Sequence, residues 1–427
     1  MRDGNIDTSD FSENETLFFI RIKGKEQFFK KVYGEEVIKQ LFGHFNKFYT
    51  FSEYPNADHH INLNKVNLAD FSFRDFEIYN DYVLKELHSI IFRCRGLRAI
   101  DFHEAKELTL LCAKYFIDLF RKKQFKLIVI HIIDNYILDI MYRIAKRMGI
   151  EVIVISEFFI SGYRRHTIYG EYNFSQEPTL TELNYAEKYF EKKEKSFWLK
   201  GVNKLYNLRY FTYLYFSYYA KLIIRYYFGY KLFKNRSYEY RFAFVFNKLK
   251  LNYLNVNKYF DRISKDSMME NISKSVYLPL HVYPEANVDY WIGNPNNADY
   301  YFSILEAIAF FRERNMDVYI KEHPGFLYQR DPSLYAKMKS FGNVKIIHPF
   351  DPLVNMIDEI PNILVWHGSA GVEGLMQDKK VVVYDTNYYS EGFVSKMTDF
   401  DSLKAMDGCT KRNFLKFILS GVIKFEP

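Results

Sequence analysis

The stretch KLIVIHIIDNYILDIMYRIAKRMGIEVIVIS (Lys126–Ser156) decides the fold class. It contains a β-branched run at Lys126–Ile132, a helical pattern at Tyr136–Met148 that ends at Gly149, and a second β-branched run at Glu151–Ser156. Both runs are apolar throughout, which is typical of parallel strands that are buried on both faces. The stretch therefore predicts a strand–helix–strand unit of a parallel sheet.

The same alternation of strands and helices extends in both directions along the chain. Upstream, strands are predicted at Thr16–Ile22 and Phe48–Phe51, and helices at Glu26–Phe42, Asp75–Phe92 and Glu104–Arg121. Downstream, strands are predicted at Val276–Leu280, Val318–Pro324, Val344–Pro349, Ile363–Ser369 and Val381–Asp385, with helices at Pro178–Lys195, Tyr300–Arg314, Ser333–Ser340, Val354–Glu359 and Gly371–Gln377. Such alternation predicts a second parallel-sheet domain with helices on both faces.

The chain length and composition fit this organisation. At roughly 100–200 residues per domain, 427 residues predict two domains with extra elements. We expect a disordered lead-in at 1–15, an N-terminal domain at 16–190, a helical insert at 191–270, a C-terminal domain at 271–400 and a helical tail at 401–427. A hydrophobic fraction of 48% and a charged fraction of 26% exclude a largely disordered or fibrous chain.

Cysteine usage and charge indicate where the protein works. Cys94, Cys112 and Cys409 are too few for a disulfide framework or a tetrahedral zinc site, so a reducing cytoplasm fits best. We expect no signal peptide, because the N-terminus is polar, and no spanning helix. The net charge is +7, but Lys192–Lys250 alone holds 14 Lys or Arg against two acids.

The motif WHGSAGVEGLMQ (Trp366–Gln377) is the clearest candidate for a binding site. Small residues at Gly368, Ser369, Ala370 and Gly371 let the backbone approach a ligand, and a helix N-terminus attracts a phosphate. Glu373 would lie within reach of a ribose hydroxyl. An ordinary helix capped by Ser369 explains the motif equally well.

The motif KEHPGFLYQR (Lys321–Arg330) follows a predicted strand. Lys321, His323 and Arg330 are donors suited to a phosphate or a carboxylate, and Pro324 stiffens the turn. A structural role for the histidine is the alternative.

Two further loops carry candidate acid–base groups. In LPLHVYPEAN (Leu278–Asn287), His281 and Glu285 are suited to proton transfer or to a hydrogen-bonding clamp, and a plain surface loop is as probable from composition. In the loop Glu157–Asn173, the carboxylate of Glu157 could deprotonate an acceptor hydroxyl or attack a sugar carbon, although surface acids are far more common.

The basic, aromatic segment Leu205–Phe233 predicts a helix with two different faces. At 100° per residue its cations fall within an arc of about 160°, and rings fill most of the opposite arc. The cations are Arg209, Lys221, Arg225 and Lys231. This pattern favours an interfacial helix on an anionic membrane over nucleic-acid binding, which prefers interleaved rings and cations. A helix packed on its own domain is the alternative.

Three motifs in order, LPLHVYPEAN, IKEHP and WHGSAGVEGL followed by VVVYD, make the C-terminal half similar to a known family. They resemble the bacterial capsule polysaccharide biosynthesis family, which includes the β-Kdo transferases. The resemblance implies an α/β, GT-B-like fold, in which two Rossmann-like domains face a cleft. Here a basic aromatic helical insert would lie between them.

The resemblance also implies roles for individual residues. His323 and Pro324 would meet the nucleotide, the segment 369–371 would hold its phosphate, and Glu373 would hold its ribose. Glu157 would correspond to the acidic position near the reaction centre. The Kdo enzymes tend to have Gln at the position of His281, which leaves the donor and the stereochemical course open.

Together, these features predict a metal-independent glycosyltransferase without a cofactor. Its donor would be a nucleotide-sugar, possibly CMP-linked, and its acceptor a lipid-linked capsule or lipopolysaccharide glycan. We expect a cytoplasmic protein, peripheral at the inner membrane on an anionic surface, with no nucleic-acid partner. A polyol-phosphate transferase, a nucleotide-sugar epimerase and a non-catalytic binding protein of the same pathway are the alternatives.

Overall fold

The computed structural model describes most of the chain, with gaps that include parts of the N-terminus and of the basic segment. It describes residues 15–19, 47–53, 55, 57–160, 162–170, 177–191, 213, 216–217, 220–221, 223–233, 251–283, 286–291, 297, 299–323, 326–349, 351, 359–390 and 392–424. The predicted lead-in before Glu15 and the predicted helices Glu26–Phe42 and Val354–Glu359 lie outside the described residues, apart from Glu359 itself.

The first unit is built on a seven-stranded sheet with the order β13–β6–β5–β4–β1–β2–β3. Its strands are β1 (Glu15–Phe19), β2 (Lys47–Ser52), β3 (His59–His60), β4 (Phe125–Ile130), β5 (Glu151–Glu157), β6 (Tyr163–His166) and β13 (Val422–Lys424). In this order, every neighbouring pair from β5 across to β3 is parallel. The pairs β5–β6 and β6–β13 are antiparallel. The parallel part has the Rossmann order 3-2-1-4-5.

The helices of the first unit do not all begin at a side-chain cap. They are α1 (Phe73–Tyr79), a π-helical continuation (Asn80–Leu84), α2 (Leu87–Arg93), α3 (Phe102–Lys122), α4 (Tyr136–Arg147) and α5 (Leu180–Glu191), with 3₁₀ turns at Leu63–Lys65 and Leu68–Asp70. At α3 the side chain of Asp101 accepts hydrogen bonds from the backbone N–H groups of His103 and Glu104. The single helix predicted over Asp75–Phe92 is thus three consecutive segments.

The second unit has a six-stranded parallel sheet with the order β12–β11–β10–β7–β8–β9. Its strands are β7 (Ser275–Pro279), β8 (Asp317–Lys321), β9 (Val344–Ile347), β10 (Asn362–Val365), β11 (Lys380–Val383) and β12 (Ser395–Lys396). Counted from β7, this is the complete Rossmann order 3-2-1-4-5-6. The predicted fold class, with two Rossmann-like units as in GT-B proteins, is confirmed.

The remaining helices surround the second sheet and lead back to the first. They are α6 (Lys265–Glu270), α7 (Ala286–Asp289), α8 (Tyr300–Glu313), α9 (Pro332–Ser340), α10 (Ser369–Met376) and α11 (Gly408–Ser420), with a π helix at Arg225–Leu232 and 3₁₀ segments at Leu251–Tyr259, Ile272–Lys274 and Met397–Ser402. The tail predicted to be helical also contains a strand, because β13 pairs with β6 of the first sheet. Helix α11 shares a core cluster with α5, so the chain ends on the first unit.

The loop after β7 connects the two cores. Val288 belongs to the core of the second unit, whereas Tyr290 and Trp291 belong to the core of the first. Between them, the fully buried carboxylate of Asp289 forms an ion pair with the guanidinium of Arg98 at 2.9 Å. Because burying a charge without a partner is costly, this ion pair fixes the loop against the first unit.

Candidate functional site

The strongest candidate site lies where the strand order of the second sheet reverses, between β7 and β10. In open parallel sheets, ligands bind at this switch point, outside the carboxyl ends of the strands. His281 follows β7, and His367 and Gly368 follow β10. The backbone N–H of His367 donates to Nε2 of His281 at 3.5 Å, so the two loops meet at this point.

Gly368 fits this meeting point for two reasons. Its φ of +106° lies in a region that disfavours side chains. A Cβ atom at this position would also lie 3.2 Å from Cε1 of His281. The glycine thus allows the backbone of the turn to approach the histidine closely.

The N-terminus of α10 opens into the same region. The helix begins at Ser369, and its N-cap is Gly368, which provides no side-chain hydrogen bond. The alternative of a helix capped by Ser369 is therefore wrong, because Ser369 already lies inside the helix. The first backbone N–H groups of α10, including those of Ala370 and Gly371, are thus left for water or a ligand.

Glu373 lies farther along the helix than the sequence suggested. It is the fifth residue of α10, beyond the first turn, and its side chain is exposed. Contact with the ribose remains a prediction, and it requires a ligand that reaches past the helix start.

A buried ion pair supports the loops after β7 and β8. Arg330 donates from Nε to Glu322 at 2.7 Å, and from Nη2 to the backbone carbonyl of His281 at 2.7 Å. Glu322 also accepts hydrogen bonds from the hydroxyl of Tyr335 and, at 2.6 Å, from the backbone N–H of His323. The ion pair thus contacts both histidine-bearing loops, through Glu322 at His323 and through Arg330 at His281.

This arrangement gives Arg330 a supporting role. The guanidinium and the carboxylate of Glu322 are both 0% exposed and form an ion pair. Contact between Arg330 and a phosphate stays a prediction. Glu322, which holds Arg330, was missed because an acid inside IKEHP gives no sequence signal of burial.

The histidines at the switch point are held neutral. Burial, with the nearby His323 and Arg330, lowers the pKa of His281 to about 3. Burial, with His281 and Arg165 nearby, lowers the pKa of His367 to about 3. Since Nε2 of His281 accepts the hydrogen bond described above, the geometry favours the hydrogen-bonding alternative for His281 over proton transfer.

The predicted cationic donors lie at the end of β8. Lys321 is its last residue and is half-buried. His323 keeps an exposed edge, although desolvation by the surrounding protein lowers its pKa against the opposing effect of Glu322. Pro324 and Glu285 lie outside the described residues.

The predicted loop of the first unit approaches the site through Arg165. Glu157 ends β5 and is paired with Arg164 of β6, and its side chain lies outside the described residues. The guanidinium of Arg165, also on β6, lies 3.6 Å from the ring centroid of Tyr388 and 4.6 Å from that of Trp291. These cation–π contacts join β6 to the second unit.

The basic aromatic segment is described only in part. Arg209 lies outside the described residues, as do the side chains of Arg225 and Lys231, whereas Lys221 is exposed. The exposed apolar side chains of the described part are Tyr213, Phe216, Ile224, Tyr227, Phe228, Leu232 and Phe233. Lys221 and the exposed Ile224 are only about 60° apart on an α-helix. The division into a cationic and an apolar face stays a prediction, because Lys221 is the one of its four cations whose side chain is described.

Among the described residues, no group of three or more His, Cys, Asp or Glu side chains is placed to hold a metal ion. Within the same part of the chain, no helix has both the length and the apolar character needed to cross a bilayer.

Comparison with known proteins finds one family model that matches part of the chain. The model of the capsule polysaccharide biosynthesis protein family matches residues 211–416. This range contains all three motifs that predict the resemblance, and the match confirms it. No curated protein matches the sequence.

Several solved structures are similar at low sequence identity. The KpsC β-Kdo 2,4 transferase of Thermosulfurimonas dismutans is 14% identical over 70% of this chain and 79% of its own, with a TM-score of 0.39. The β-Kdo 2,7 transferase of the same organism is 12% identical over 72% and 80%, with a TM-score of 0.34. UDP-GlcNAc 2-epimerase from Neisseria meningitidis is 13% identical over 95% and 98%, with a TM-score of 0.30. At these TM-scores, none of them assigns an activity to this chain.

The buried ion pair yields a prediction about stability. Replacing Arg330 by Met leaves the buried carboxylate of Glu322 without its partner, which should lower the free energy of unfolding by about 3–5 kcal/mol. Denaturant titration at pH 7 measures this loss. The exposed pair Lys85–Asp81 is the matched control, because Lys85→Met should cost about 1 kcal/mol or less. A loss below about 1 kcal/mol in Arg330→Met would contradict the supporting role.

The neutral state of His367 yields a prediction about pH. Its pKa is about 3 in the folded protein and about 6.5 in the unfolded chain, so the unfolded chain binds the extra proton as the pH falls below 6.5. Acidification from pH 7 to pH 5 should therefore cost about 2 kcal/mol of stability through this residue. Denaturant titrations of wild type and His367→Phe at both pH values should show that much less loss in the variant. Equal losses would mean that the histidine does not titrate as described.

Proposed function

We propose that this capsule-family chain is a glycosyltransferase that binds a nucleotide-sugar at the switch point of its second sheet. The observation that carries the proposal is the α10 N-terminus, which has no side-chain cap and opens at the reversal of a Rossmann-ordered sheet. Such a terminus attracts phosphate through its free N–H groups and its dipole. The family match to residues 211–416 supports a role in capsule polysaccharide synthesis.

In this proposal, the donor lies across the ends of β8 and β10. The backbone N–H groups of residues 369–371 bind the phosphate, and Lys321 and His323 approach it from the end of β8. Pro324 shapes the turn that carries His323, and Glu373 binds the ribose. Cationic groups and a helix N-terminus stabilise a departing nucleotide without requiring a metal.

The reaction transfers the sugar from the donor phosphate to an acceptor hydroxyl. The bond between the anomeric carbon and the phosphate oxygen breaks, and a bond from that carbon to the acceptor oxygen forms. Glu157, at the end of β5, is our choice for the group that takes the hydroxyl proton, and His281 serves as a hydrogen-bonding group beside the donor. Glu285 is a further acid–base candidate in the loop after β7.

The acceptor in this proposal is a lipid-linked capsule or lipopolysaccharide glycan, which the first unit meets at the inner membrane. The exposed rings of the basic segment would rest at the headgroup boundary beside Lys221, Arg225 and Lys231. Polyol-phosphate transfer and epimerisation of a nucleotide-sugar remain the alternatives for an enzyme, and binding without turnover is the alternative for a non-enzyme. Product analysis of the donor assay below separates these four cases.

The first prediction for this function concerns donor binding. Purified protein should bind one of the CMP-, UDP-, GDP- or CDP-linked donors, and His323→Ala should weaken binding by about 10- to 100-fold, because a charge-assisted or helix-terminal phosphate contact is lost. Isothermal titration calorimetry measures both affinities. His103→Ala, which removes an exposed histidine of α3, is the control and should bind normally. Equal affinities of wild type and His323→Ala would exclude His323 from the site.

Turnover by the same protein tests the role of Glu157. Glu157→Gln should keep the donor affinity of wild type and lower the rate of sugar transfer or donor hydrolysis by a factor on the order of 10², the usual effect of losing an acid–base group. Near-normal rates would leave Glu157 as a surface acid.

The third prediction concerns the membrane. Wild-type protein should float with anionic vesicles at low salt, release partly at high salt and bind neutral vesicles weakly, since each cation near the surface contributes about 1 kcal/mol. Changing Lys221 and Arg225 to Glu, or Tyr227 and Phe228 to Ser, should abolish flotation. Phe302→Ser is the matched control, because Phe302 is a similarly exposed ring on α8. Wild-type protein that ignores anionic vesicles would show that the segment packs within the protein.

A further inference from the structure

His367 is a buried polar residue at the candidate site for which the sequence motifs suggested no role. It lies between the end of β10 and Gly368, the N-cap of α10, and only 2% of it is exposed. Among the described residues, neither Nδ1 nor Nε2 of its ring has a hydrogen-bond partner. The residue therefore combines a place beside a helix N-terminus with an unsatisfied imidazole.

The ring of His367 lies on the side of the switch point that faces the first unit. Its centroid is 6.4 Å from that of Trp291, over which the guanidinium of Arg165 stacks. On its other side, the backbone N–H of His367 contacts His281. The imidazole therefore stands where the second sheet meets the elements of the first unit.

The unsatisfied ring is costly to the folded protein. A neutral imidazole has one N–H donor and one acceptor nitrogen, and a buried group without a partner costs about 1–3 kcal/mol. Unpaired groups of this kind are rare, and they call for a specific reason such as a ligand or an ordered water. Cys94 and Cys112 are also buried, but they lie among apolar side chains in the core of the first unit, so their burial does not point to a ligand.

The chemistry of the missing partner follows from the charge of the ring. Burial lowers the pKa of His367 to about 3, and the nearby His281 and Arg165 act in the same direction. A phosphate supplies only acceptors and would leave the acceptor nitrogen of a neutral ring unpaired. A hydroxyl group both accepts and donates, so it can pair with either ring nitrogen and a second hydroxyl can pair with the other.

We infer that His367 is a specificity-determining residue that hydrogen-bonds a hydroxyl group on the sugar of the nucleotide-sugar donor. This inference rests on the proposed function. With the phosphate at the start of α10, the transferred sugar must point towards the acceptor side, which is where the imidazole lies. The ribose would lie in the other direction along α10, towards Glu373.

Access to His367 requires a movement. Its ring is covered in the conformation described here, so the sugar can reach it only when the Trp291 segment or the first unit shifts away from β10. Closure of domains and loops around a substrate is a common step in enzymes.

Paired substitutions test this inference. His367→Phe preserves a planar ring and removes both hydrogen-bonding groups, and His367→Leu does so with a smaller side chain. His367→Asn retains one donor and one acceptor. We expect kcat/KM for the full nucleotide-sugar to fall about 10- to 100-fold in the Phe and Leu variants and to stay within about fivefold of wild type in the Asn variant. Affinity for the bare nucleotide, which lacks the sugar, should be the same in all four proteins.

The outcomes separate this inference from the proposed function. Unchanged kcat/KM in the Phe and Leu variants would overturn the inference, as would an equal loss of affinity for the bare nucleotide and the nucleotide-sugar. Loss of activity in the Asn variant equal to that in Leu, with matching drops in thermal stability, would assign His367 to packing alone. If wild-type protein binds no nucleotide at all, the proposed function itself fails, and the inference fails with it.

Discussion

The buried ion pair between Glu322 and Arg330 is the constraint on which the candidate site depends. It holds the backbone of His281 on one side and that of His323 on the other, so the loops after β7 and β8 keep one relative position. An isolated charge at this depth would be too costly to keep, so neither partner can be lost alone. The pair thus supports the two loops from within the protein. Lys321 and the edge of His323 lie nearer to solvent, where they can contact an anionic ligand.

An ion pair and aromatic packing also connect the second unit to the first. The loop that begins with His281 continues into the segment whose Asp289 pairs with Arg98 and whose Trp291 packs in the first core. Gly170 of the first unit contacts Trp291 so closely that a Cβ atom would lie 2.4 Å from the indole Cβ. A change in the position of the first unit must therefore reach the loop after β7. This connection fixes the loop after β7 against both units.

Sequence patterns predicted the long, apolar elements and missed the short or context-dependent ones. The runs that became β4, β5 and β7–β11 are β-branched and bounded by turns, so hydrophobicity alone located them. The two- and three-residue strands β3, β12 and β13 carry too few residues for any period, and their pairing is decided by tertiary contacts. The turn at Gly368 and the start of α10 were located by small residues. The roles of Arg330 and His367 could not be predicted from the sequence, because their burial and charge pairing depend on residues far away in the sequence.

The electrostatics of the site divide it into two regions. Near the start of α10, partial positive charge from backbone N–H groups and the cation Lys321 suit a phosphate. Towards the first unit, His281 and His367 are neutral, because burial lowers the pKa of both, with His323 and Arg330 adding to the effect at His281 and with His281 and Arg165 adding to it at His367. The neutral imidazoles offer directional hydrogen bonds, and the nearby guanidinium of Arg165 is stacked on the rings of Trp291 and Tyr388. A ligand with a phosphate at one end and an uncharged, hydroxyl-rich group at the other matches this division, whereas a ligand with phosphates at both ends does not. Under the proposed function, this asymmetry places the phosphate of the nucleotide-sugar at the start of α10 and its sugar beside the two histidines.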